Sequence, residues 1–283
     1  MKLKEYLMRV KEEIKERHFW KSVRCEFFGT LLYVLFGCAA TVTWNADNHD
    51  PHKIIRISLS FGFIEYILVS SVSHASGSQF NPVITISMLC TKYITFFRAT
   101  CYIFVQLIAG IISSAIIYGL VPEYSRDHFG INVLNPDVSR GQAFGIEFLG
   151  TFLFVFAYFS SLRKKNEKLM PKALPCGVSI ASAHLFTTEA TGCGINPART
   201  LAPAIFHNAW SNHWIFWIGP ILGGIIGAFT FEYTRDCSIQ LRNPQNEVSN
   251  QLVYSLGNKD DAASNFSLNT EVPGEPNEII DEL

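Results

Sequence analysis

The chain has 283 residues, of which 48% are hydrophobic, only 17% are charged and 23 are phenylalanine. A soluble domain of this length carries about a quarter charged residues, and a net charge of −1 leaves no basic footprint for a nucleic-acid partner. The charge is also segregated, with eight Lys/Arg in residues 1–24 and almost none across long later blocks, the pattern of a polytopic membrane protein.

Residues 1–22 read as a charged, amphipathic N-terminal segment and not as a signal peptide, so the first apolar run is a retained span. Six stretches hold the roughly 20 apolar residues needed to cross about 30 Å of hydrocarbon: about 23–44, 54–73, 98–120, 142–162, 171–188 and 213–233. Two shorter ones remain, 81–90 and 196–206. At 1.5 Å per residue a ten-residue helix covers only about 15 Å, half of the core. Residues 236–283 are polar and Pro/Asn-rich, which predicts a mostly disordered tail.

The loops set the orientation. The 162–172 connection, LRKKNEKLMPK, has five Lys/Arg, whereas 45–56 and 121–141 have two each and 206–213 has none. Positively charged loops stay inside, so both termini are expected in the cytoplasm. The seven cysteines are an odd number with no C-x-x-C pair, which argues against a disulfide framework or a metal site. Nothing in the sequence calls for a cofactor, and no nucleophile–base pair or metal cluster suggests an enzyme.

An internal repeat is visible. EFFGTLLYVL (26–35) and EFLGTFLFVF (147–156) share six of ten residues, and FNPV (80–83) and INPA (195–198) recur at nearly the same offset. Each half, about 23–120 and about 142–235, runs span, span, half-span, span. Three crossings per half invert the second copy, so the two half-spans enter from opposite faces. In each, Asn is a helix cap and Pro fits the first turn, where its missing N–H costs nothing. Irregular backbone at bilayer depth is tolerated only inside protein or along a wet cavity. Two helix N-termini meeting there create a positive potential that disfavours cations and protons. Asn81 and Asn196 can donate hydrogen bonds to a passing water.

With its six spans, SGSQFNPV and TGCGINPAR, the chain resembles the aquaporin (major intrinsic protein) family over about residues 20–235. The resemblance implies an all-α membrane fold of six transmembrane helices plus two re-entrant half-helices, assembled as a homotetramer in the lipid bilayer of the cell membrane. It implies a selectivity filter of Phe61, His184, Cys193 and Arg199, and a pore centre of Asn81, Pro82, Val83, Asn196, Pro197 and Ala198. The set is similar to that of water-selective members, and Thr200 stands where glycerol-conducting ones carry Asp. Glu26 and Glu147, at matching repeat positions, are implied to hold the half-span loops by accepting hydrogen bonds.

Two residues depart from the pattern. Val83 replaces the usual Ala of the first motif. Glu65 lies one turn after Phe61, where the wall is normally apolar; it is protonated, paired, or turned out of the pore, and the sequence leaves these open. The expected function is a passive water channel. The alternatives are a channel that also passes small neutral solutes such as glycerol or hydrogen peroxide, or a junctional protein with little transport. The last rests on a similarity of EVPGEPNE (271–278) to the tail of the lens member.

Overall fold

The computed structural model describes residues 3–44, 50–162 and 172–240. The lysine-rich connection 163–171 and the tail from 241 onward, with EVPGEPNE, lie outside the described residues. The chain divides into two compact units, 1–233 and 234–283, and the first carries the bundle.

An amphipathic helix α1 (Leu3–Lys15) precedes the first span, α2 (Arg17–Ala39). This span starts and ends several residues before the predicted 23–44. Val42 instead packs into the core behind a turn in which the Thr41 hydroxyl donates to the Cys38 carbonyl. Next come α3 (Lys53–Ser76), the half-span α4 (Pro82–Cys90) and α5 (Phe96–Leu120). A short 3-10 turn, Glu123–His128, opens the loop to α6 (Arg140–Ser161), which starts in a capping box of Ser139 and Gln142. Helix α7 (Ala173–Thr191), the half-span α8 (Pro197–His207) and α9 (Ile215–Gln240) complete the bundle. The last helix runs past the predicted boundary at 235, so residues 236–240, assigned from sequence to the tail, are helical.

Helices α2, α3, α5, α6 and α9 are long and apolar enough to cross a membrane. Helix α7 has 19 residues, about 28 Å at 1.5 Å per residue, but it carries Ser179, Ser182, His184, Thr187, Thr188 and Glu189. Its polarity has a structural cause. The helix packs on α3 and α6 and turns Ser179, His184 and Thr187 into the protein.

Close backbone approach sets the packing. A Cβ on Gly62 would lie 2.8 Å from the Gly177 carbonyl oxygen, so α3 and α7 touch backbone to backbone. On α9, Gly223 and Gly227 meet the Phe148 and Phe152 carbonyls of α6 in the same way. Apolar surface gives helices no driving force against lipid, so such small-residue contacts are what hold a membrane bundle together.

Candidate functional site

Both half-spans begin as the Asn-Pro pairs dictate. The Asn81 side chain accepts from the Val83 N–H at 2.8 Å, and Pro82 takes the first turn. The Asn196 side chain accepts from the Ala198 and Arg199 N–H groups, ahead of Pro197. Val83 is fully buried, and its side chain packs where a Cβ on Gly224 of α9 would fall. The valine is thus a packing residue behind the cap, and the Asn81 donor is intact.

The loops leading into the two half-spans repeat each other's backbone. Gly77 and Gly192 end α3 and α7 with φ of 92° and 77°, and the pairs Ser78/Phe80 and Cys193/Ile195 all have positive φ. Four non-glycine residues in the left-handed region each cost about 1–2 kcal/mol, so something must hold them. Two buried carboxylates do. Glu26 accepts from the Gln79 and Phe80 N–H groups at 2.9 and 2.8 Å and from the Gln106 amide at 2.9 Å. Glu147 accepts from the Gly194 and Ile195 N–H groups, both at 2.8 Å, and from the Thr191 hydroxyl.

The two half-spans are also tied to each other. The Asn81 amide donates to the Ile195 carbonyl at 3.0 Å and the Asn196 amide to the Phe80 carbonyl at 2.9 Å. Each amide has two N–H donors, and one on each side chain has no partner among the described residues. The N-termini of α4 and α8 therefore meet, and their positive dipole ends coincide.

One turn into α8, Arg199 is only 1% exposed. Its Nη1 donates to the Gly130 carbonyl at 2.6 Å and to the Asn132 side chain, and its Nη2 to the Gly192 carbonyl at 3.3 Å. Nε is buried without a partner. The guanidinium lies 5.4 Å from the Phe61 ring centre. Phe61 also stacks on His184, with centres 4.0 Å apart and planes at 13°, and meets Tyr33 edge-on at 5.3 Å. Both His184 ring nitrogens lack partners. Phe61, His184 and Arg199 are thus linked by ring and cation contacts, and Cys193 is fully buried in the loop that leads into α8.

No water-wide space separates the Phe61 and His184 rings in this conformation. The rings are in stacking contact, because Phe61 fits against Gly37 of α2, where a Cβ would overlap it.

Glu65 is 2% exposed on the buried face of α3, which it shares with Phe61, and its Oε1 has no hydrogen-bond partner. Of the three possibilities, pairing and an outward turn are excluded among the described residues. Its neighbours by electrostatic interaction are Glu26, Tyr33, Cys176 and Tyr158.

Several site residues escape a reading of the sequence. Tyr33 sits inside the repeated EFFGTLLYVL, where aromatic residues are common. Asn132 lies in a connecting loop, and only the fold shows that it receives the arginine. Gln106 had a signal, a lone amide in an apolar span, where polar groups are expensive and serve a purpose.

A family model described as Major intrinsic protein matches residues 13–231. The chain is 37% identical over 222 residues to the lens fiber major intrinsic protein of Lithobates pipiens, covering 78% of this chain and 83% of that one. It is 35% identical over 268 residues to the lens fiber major intrinsic protein of Homo sapiens, covering 94% and 97%. Among solved structures, the aquaglyceroporin from Plasmodium falciparum superposes with a TM-score of 0.65 at 17% identity, over 79% of this chain and 99% of that one.

Proposed function

The chain belongs to the major intrinsic protein family, and we propose that it is a passive water channel of the cell membrane, assembled as a tetramer with one pore per chain. In this reading both termini are cytoplasmic, as the Lys/Arg content of the loops requires. Water moves down its osmotic gradient and no bond is made or broken.

The observation that carries the proposal is the joined pair of half-span N-termini beneath a buried arginine. Two positive helix ends and a fixed guanidinium repel cations and protons from the same narrow segment. The free N–H groups of Asn81 and Asn196 align a passing water by its oxygen, and Phe61, His184, Cys193 and Arg199 limit its size. Glu26 and Glu147 serve as struts for the two loops.

The stacked rings of Phe61 and His184 favour a second reading, a membrane structural protein with low transport. Osmotic swelling of proteoliposomes separates the two. The channel reading expects water flux well above that of protein-free vesicles and needing no ion gradient. The structural reading expects no increase.

Cys193 supplies a further check. Fully buried and in this reading one of the filter residues, it is the thiol whose mercuration would plug the filter. Mercurials are expected to block water flux and Cys193→Ser to remove the block. Full inhibition of the variant would move the sensitive thiol to Cys38 or Cys176.

A further inference from the structure

We infer that Glu65 and Cys176 form a binding site for one thiophilic divalent cation of the zinc class, inside the bundle between α3 and α7. The site does not depend on what the pore conducts, and only its effect on flow rests on the channel reading. The contact between the two helices fixes the geometry. A Cβ on Gly62 would lie 2.8 Å from the Ala181 side chain, and one on Gly177 would lie 2.9 Å from that of Tyr66. Residue numbers rise along one helix as they fall along the other, so the pair is antiparallel. Glu65 directly precedes Tyr66, and Cys176 directly precedes Gly177. In an antiparallel pair one step back turns both side chains by about 100° to the same side of the contact. Glu65 is 2% exposed and Cys176 is fully buried, so this side is the bundle interior, whereas Phe63 and Val178 on the opposite side are exposed.

Both groups are available as ligands. Glu65 Oε1 is buried without a hydrogen-bond partner, and Cys176 Sγ meets the Ser161 hydroxyl at 3.6 Å. A buried acceptor left unpaired is costly, and a cation between it and the thiol removes that cost. Carboxylate and thiolate together match the charge of a divalent ion, and both are zinc ligands. The sulfur selects against magnesium and calcium, which take oxygen donors. Binding replaces the thiol proton, which leaves to water. Among the described residues no group of three or more His, Cys, Asp or Glu could hold a metal, so water completes the coordination and the ion exchanges. Cys176 lies in the first turn of α7. The ion therefore enters from the end of the bundle where α7 begins, cytoplasmic in the proposed orientation, and does not pass Arg199. The positive ends of α4 and α8 and the arginine stop it there, so it blocks the path and is not conducted.

Cadmium chloride tests the site on the purified full chain in detergent, through the ultraviolet charge-transfer band of a cadmium–thiolate bond. Titrations compare the parent with Cys176→Ser, Glu65→Gln, Glu65→Asp and Cys193→Ser. Cys176→Ser is expected to remove one component of the band, which Cys193→Ser retains. Glu65→Gln is expected to move that component to about tenfold higher cadmium or beyond, and Glu65→Asp to bring it back. In proteoliposomes, cadmium chloride on the side where α7 begins is expected to block water flux until a chelator is added, and magnesium chloride to have no effect. A component unmoved by Glu65→Gln would reduce the site to a cysteine and overturn it. A titration unchanged in Cys176→Ser would overturn it too, as would a loss in Glu65→Gln that Glu65→Asp does not restore, which would mark disturbed packing. Binding that follows both variants in a chain without water flux would uphold the site and remove the channel reading.

Discussion

Glu65 sits one turn after Phe61 on α3, and among the described residues it has no counter-charge and no hydrogen-bond partner for Oε1. An unsolvated carboxylate there would cost several kcal/mol, so the group is either protonated or hydrated by the permeant. Ionisation adds a charge that holds water in the file. Permeability should therefore fall as pH rises through the point at which Glu65 ionises, and Glu65→Ile should be flat over that interval. Stopped-flow swelling of both proteins between pH 5 and 8 makes the comparison. An unchanged response in Glu65→Ile would remove the glutamate from the water path. At the filter, His184→Ala frees the face of Phe61 that it covers. Water flux per chain is expected to rise severalfold, and a fall would mean that the histidine guides water instead of obstructing it.

At the scale of elements, the half-spans depend on two carboxylates. Replacing Glu147 by Leu orphans the buried N–H groups of Gly194 and Ile195 and the Thr191 hydroxyl, at about 1–3 kcal/mol each. The variant should lose roughly 3 kcal/mol or more, read as a lower unfolding temperature in detergent and as loss of water flux. Glu26→Leu should behave alike, since it orphans Gln79 and Phe80. A variant as stable and as active as the parent would mean that the loops hold their left-handed residues unaided. These elements were legible in the sequence because Asn-Pro is a strong local signal and the repeat doubled it. The ends of α2 and α9 were not, because hydropathy reports the apolar run and helix continuation depends on local hydrogen bonds. The polarity of α7 needed the fold, since only its neighbours explain a span rich in hydroxyls.

For the whole molecule, the inverted repeat brings two copies of one loop back to back and joins two segments too short to cross a membrane. The architecture could be read from the apolar runs and the internal repeat, because both are visible along the sequence, whereas the four filter positions came only from the family resemblance. The stacking contact between Phe61 and His184 could not be read at all. It depends on the glycine at 37 that lets Phe61 settle against α2, and on Tyr33 beside it. The clamp on Arg199 was equally hidden, since Gly130 and Asn132 reach it from a loop 67 to 69 residues earlier in the chain.

The central claim is that this pore passes water and excludes larger solutes. Paired swelling of proteoliposomes in impermeant osmolyte and in glycerol tests it most directly, on the purified full chain with no ion gradient. The account predicts water flux clearly above that of empty vesicles and glycerol entry indistinguishable from theirs. Glycerol entering as readily as water, or water flux no greater than that of the bare bilayer, would contradict it.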